Sequence, residues 1–132
     1  MKNKHILIVD DEKIMCDLIS RSLNPLGCRI FLASDGVEGL ETLQRERIDV
    51  LISDIKMPRM DGVSFVRTAL ERQPGLAALF ITGHSDTITR REARDMGVAD
   101  LIVKPFKNTE IILSIRRALT LARSSQSQTK TE

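Results

Sequence analysis

Four apolar runs of this chain finish on chemically capable side chains: Asp10 followed by Asp11, then Asp54, Thr82 and Lys104. Singly, each has an ordinary explanation, because aspartate caps helices and a threonine or lysine simply faces water. Together they put three carboxylates, a hydroxyl and an ammonium at successive run ends. Two like charges 4 Å apart cost about 4 kcal/mol at an effective dielectric of about 20, so either a carboxyl pKa rises or a cation sits among them. The candidate ligands are hard oxygens without histidine or thiolate, which selects Mg²⁺ or Mn²⁺ over zinc and leaves coordination open for phosphate oxygens. Three aspartates, one lysine and one divalent ion make a nearly neutral site able to admit a dianionic phosphoryl group. Asp54 is then the nucleophile, forming a mixed anhydride, while the metal, Lys104 and the Thr82 hydroxyl hold the equatorial oxygens.

For these ends to meet, the runs must be strands of one sheet. The five runs, His5–Asp10, Cys28–Ala33, Asp49–Asp54, Leu76–Thr82 and Asp100–Lys104, are apolar on both faces, as strands buried on both sides must be. Between them lie helical spacings: Ile14, Met15, Leu18, Ile19 and Leu23; then Val37, Leu40 and Leu43; then Val63, Val66 and Leu70. A fourth helix over Ser85–Met96, stopped by Gly97, has only Ile88, Ala93 and Met96 to bury and is expected to be weakly anchored. The last follows Asn108 and repeats apolar residues at Ile111, Ile112, Ile115 and Leu119. Strand–helix alternation with right-handed crossovers predicts an α/β domain, a three-layer, doubly wound five-stranded parallel sheet. Ligands of such sheets bind outside the carboxyl ends of the strands, which is the rim carrying the four motifs. Residues 1–123 are read as this domain and 124–132 as a polar tail or linker stub.

Composition agrees with one core: 132 residues, 42% hydrophobic and 29% charged, with a formal charge of +2. That charge is too small for counterion-driven nucleic-acid binding, and no recognition-helix motif or aromatic platform is present. The opening run Ile6–Val9 is shorter than a signal-peptide core, and no long apolar span follows, so the reading is cytoplasmic with no membrane partner. Cys16 and Cys28 suit small buried thiols rather than a disulfide framework or zinc spacing.

With these motifs in place, the chain resembles the receiver domain of two-component response regulators over Lys4–Ala122. Ile8-Val9-Asp10-Asp11-Glu12 is similar to that family's acidic pair, Ser53-Asp54-Ile55-Lys56-Met57-Pro58-Arg59-Met60-Asp61-Gly62 to its phosphorylation segment, Ile81-Thr82-Gly83 to its hydroxyl position, and Lys104-Pro105-Phe106 to its lysine–proline turn. The resemblance implies a flavodoxin-like fold with strand order 2-1-3-4-5 and Asp54 as phosphoacceptor. It also implies Mg²⁺ held by Asp11 and Asp54 directly, by Asp10 through water and by the Lys56 backbone carbonyl, with a cis peptide before Pro105. Lys56 and His84 occupy positions where the family tunes phosphoryl lifetime. The family's frequent aromatic switch residue is replaced by Leu101, so Thr82 and the fourth helix are left to carry the switch.

The partners implied are a sensor histidine kinase or histidine phosphotransfer protein as donor and a downstream output domain or protein, with slow autodephosphorylation rather than turnover catalysis. The net charges of Lys104–Arg123, +4, and Ser85–Asp100, −1, read by default as a solvated face; the resemblance adds the alternative that these two elements pair across a two-fold axis in a phosphorylation-dependent homodimer, as the family often does. A binding-only module that is not phosphorylated is the alternative. An aspartate-nucleophile phosphohydrolase of the haloacid dehalogenase type is more remote, since it needs a second acid where Lys56 stands. A flavodoxin-like cofactor binder would have its phosphate repelled by Asp10-Asp11-Glu12.

Overall fold

The computed structural model describes residues 1–83 and 88–131, with side chains through Ala122 in the last helix. Strands β1 (His5–Val9), β2 (Arg29–Ala33), β3 (Val50–Asp54), β4 (Ala77–Thr82) and β5 (Asp100–Val103) form one sheet in the order β2-β1-β3-β4-β5. Every neighbouring pair is parallel. The expected sheet and strand order are therefore present, with each strand starting or ending a residue inside the apolar run.

Period-two alternation sends successive strand residues to opposite layers. Leu7, Val9, Leu51 and Phe80 enter one core with Val66 and Ala69 of α3 (Gly62–Arg72) and Leu43 of α2 (Gly36–Arg45). Ile6, Ile8, Val50, Ile52 and Ile81 enter the other, with Cys16, Ile19 and Leu23 of α1 (Lys13–Leu23) and Ile111, Ile115 and Ala118 of α5 (Asn108–Thr131). Both faces of the sheet are thereby covered, which is why its strands lack polar alternation.

Two expectations are corrected. α1 buries Cys16, Ile19 and Leu23, whereas Ile14 is 83% and Leu18 44% exposed, so the buried stripe is narrower than the apolar one. Among the described residues the fourth helix, α4, is Arg90–Asp95, Ser85–Thr87 of the expected span lying outside them: Thr89 accepts from the Glu92 N–H while the Glu92 side chain accepts from the Thr89 N–H, and this reciprocal cap fixes the start. Gly97, at φ 92°, follows its end, and Ala93 is its buried residue, in keeping with weak anchoring. α5 runs on to Thr131, and no glycine or proline follows Pro105 to interrupt it.

Cys16 is buried and Cys28 half-buried, both as free thiols. Burial, aided by the negative charge of Asp10, raises the Cys16 pKa to about 11, so this is a packed thiol and not a reactive thiolate. Among the described residues no helix is long and apolar enough to cross a membrane.

Candidate functional site

Asp10, Asp54 and Lys104 each lie two residues after an isoleucine of the α1/α5 layer, namely Ile8, Ile52 and Ile102. Ile8 pairs with Ile52 across β1 and β3, and Ile81 with Ile102 across β4 and β5. Shared parity and register thus deliver three side chains from three segments to one rim. Thr82 ends β4 with the opposite parity, in line with Phe80; it is buried, and its carbonyl accepts the Lys104 N–H at 2.8 Å.

The Lys104 ammonium stands among three carboxylates. Its Nζ donates to Asp54 Oδ2 at 3.2 Å, to Glu12 Oε1 at 3.2 Å and to Asp10 Oδ2 at 3.4 Å. Asp10 and Asp54 are buried, at 2% and 8% exposure, so these are largely desolvated charges. Burial, assisted by the negative charge of Asp54, lifts Asp10 from an ordinary 3.8 to about 6 against the lowering effect of the Glu12 N–H bond and of Lys104. For Lys104, burial opposes the ammonium, but the charges of Asp10 and Asp54 and the bonds to Glu12 and Asp54 outweigh it and raise its pKa.

Carboxylate oxygens of Asp10, Glu12 and Asp54 all lie within 4.8 Å of one another. This all-oxygen set fits Mg²⁺ or Mn²⁺, and the incompletely compensated charge on Asp10 is what a divalent ion would relieve. Asp11 is exposed and lies outside that grouping; Glu12, given no role by spacing alone, stands in it. Its inclusion was visible only as the third letter of the acidic run.

The segment after Asp54 is closed by a bond from the Gly62 N–H to the Ile55 carbonyl at 2.7 Å. A Cβ on Gly62 would fall 2.1 Å from the Asp54 carbonyl oxygen and 2.7 Å from Ile55 Cα, so only glycine fits there. The Lys56 N–H donates to Asp54 Oδ1 at 3.3 Å, while its side chain is exposed. The Lys104–Pro105 peptide is cis, as expected. Leu101 is buried beside Phe80 in the α2/α3 layer. His84 lies outside the described residues. Two clefts of about 550 and 840 Å³ sit at the other end of the strands around Pro74, Gly75 and Leu76, and neither is lined by Asp10, Glu12 or Asp54.

Fold and site together define a doubly wound α/β protein with an oxygen-only acidic pocket and a lysine counter-charge at the switch point of its sheet. The sequence pattern of the response regulator receiver domain matches residues 6–116, and the chain belongs to that family. It is 37% identical over 114 residues to the response regulator MprA of Mycobacterium leprae, covering 86% of this chain and 50% of that protein. It is 34% identical over 134 residues to the DNA-binding transcriptional regulator NtrC of Proteus hauseri, covering all of this chain and 28% of that one. The chain thus spans half or less of the length of these relatives. Among solved structures, a CheY-like receiver domain protein from Methanospirillum hungatei superimposes with a TM-score of 0.86 at 26% identity, over 94% of this chain and 99% of that one.

Proposed function

We propose that this receiver domain is a phosphoacceptor switch in which Asp54 takes a phosphoryl group from a phosphohistidine of a sensor histidine kinase or phosphotransfer protein. The donor P–N bond breaks, and a bond forms from an Asp54 carboxylate oxygen to phosphorus. An ionised carboxylate needs no general base for this step. The observation that carries the reading is the Lys104 ammonium 3.2 Å from Asp54 Oδ2, a cation already placed where phosphoryl oxygens would gather.

Asp10, Asp11, Asp54 and the Lys56 carbonyl would hold Mg²⁺ or Mn²⁺, with Glu12 at the rim. When bound, that ion neutralises the approaching phosphoryl oxygens. Thr82 and Lys104 hold the group once transferred, and the residue types at sequence positions Lys56 and His84 tune how long it lasts, so the phosphoryl is lost slowly. Leu101 offers no aromatic ring to rotate; the switch runs through Thr82 and the short helix α4 to an output domain or protein. A phosphorylation-dependent homodimer through α4 and α5 and a cytoplasmic location complete the proposal. Within the chain, Arg90 already pairs with Asp100 at 2.9 Å, so that pair would have to be exchanged on dimerisation.

Incubation with acetyl phosphate or phosphoramidate and Mg²⁺, followed by intact mass measurement, tests this. The expected result is a Mg²⁺-dependent gain of one phosphate, lost in Asp54→Ala. No gain in the wild-type chain would leave a binding-only module.

A further inference from the structure

Arg59 lies in the segment between Asp54 and α3, with a positive φ of 68°. The Met60 N–H bonds the Pro58 carbonyl at 2.8 Å, so Arg59 is the centre of a three-residue turn of the rare, strained hand. A non-glycine residue holds that conformation only where its surroundings enforce it. Here the guanidinium reaches Asp35: Nε donates to Oδ2 at 2.6 Å, and Nη2 pairs with the same oxygen. Asp35 is buried, and its Oδ1 caps α2 by accepting the Glu38 N–H at 2.9 Å.

The next residue repeats the attachment. Met60 packs on Gly36, where a Cβ would come within 3.0 Å of its sulfur. Residues 59 and 60 are thus fastened to 35 and 36, while the base of the same segment is closed by Ile55 and Gly62. Between the fastenings stands Lys56, whose N–H bonds Asp54 and whose carbonyl is given a metal-binding role in the function proposed above.

We infer that the Asp35–Arg59 pair is a positioning device for the divalent-ion site, holding the 55–61 segment in its ion-binding shape from the first turn of α2. This rests on the metal-dependent reading of the site. Arg59 and Asp35 touch neither Asp54 nor the transferred group; they act through the backbone of the segment. Because the Arg59 side chain is 57% exposed, the effect is expected to be graded rather than all-or-none.

Asp35→Asn keeps an oxygen to cap α2 but removes the charge, and Arg59→Gly removes the guanidinium while relieving the turn. The chain has no Trp or Tyr, so Mg²⁺ binding is read by titration calorimetry on the full chain, with thermal unfolding by circular dichroism as the check on folding. Each variant is expected to bind Mg²⁺ about fivefold more weakly, with the double variant no weaker than the worse single one. Phosphorylation by acetyl phosphate should slow at limiting Mg²⁺ and recover at saturation. Folded variants with affinities within about twofold of wild type, or strictly additive losses, would overturn the inference. A wild-type chain that binds Mg²⁺ but gains no phosphate would sink the proposed function and leave this inference to the titration; one that binds no Mg²⁺ would end it.

Discussion

The Lys104 ammonium and the Asp54 carboxylate, 50 residues apart in sequence, meet at 3.2 Å beside a second buried carboxylate, Asp10. Their closeness makes the pocket a balance between one fixed cation and any mobile one that enters.

Lys104→Met should therefore strengthen Mg²⁺ binding, since it deletes a positive charge that competes for the same oxygens. The expected gain is about tenfold, equivalent to ~1.4 kcal/mol. Calorimetric titration checks it, and weaker binding in the variant would show that the ammonium supports the ion rather than opposing it. Phosphoryl retention should fall in the same variant.

Asp10 sets a pH dependence of stability. Its folded pKa, about 6, exceeds the ordinary 3.8, so between these values the folded state keeps a proton that the unfolded state releases. Ion-free stability should fall as pH rises through this window, by about 2–3 kcal/mol for the whole shift. Asp10→Asn should flatten the trend, as seen by thermal unfolding in chelator at pH values from about 4 to 7. Saturating Mg²⁺ should reverse its sign, because the ion binds the ionised carboxylate.

Gly62→Ala tests the close approach under the nucleophile. The added methyl meets backbone atoms of Asp54 and Ile55 rather than a flexible side chain, so strand β3 or the start of α3 must shift. A loss of about 1–3 kcal/mol in stability is expected, together with slower phosphorylation of Asp54. Urea unfolding followed by circular dichroism measures the first, and a wild-type midpoint would refute the contact.

Ile14 is 83% exposed two residues after Glu12, and it offers an apolar contact to a protein donor but none to a small one. Ile14→Glu should slow transfer from a phosphorylated kinase or phosphotransfer protein by about tenfold, the effect of one strong interface residue. Phosphorylation by acetyl phosphate should be unchanged. Equal slowing with both donors would place the defect in the pocket instead.

Much of this was legible in the chain because burial on both faces writes strands as unbroken apolar runs. The ends of those runs at Asp54, Thr82 and Lys104 then mark one rim. The exceptions follow from effects without a local signature. Ile14 and Leu18 look like core residues of α1 by spacing, yet the helix meets the sheet along Cys16, Ile19 and Leu23. The start of α4 was set by the Thr89–Glu92 cap rather than by apolar periodicity.

The amino-acid order alone determined which side chains were available for phosphoryl chemistry and the sheet that could gather them, since residue type and period are local properties. Tertiary structure decided which of them share a pocket. It drew Glu12 rather than Asp11 into the group around Lys104 and joined Arg59 to Asp35, because distances between segments far apart in sequence are set by strand register and helix docking.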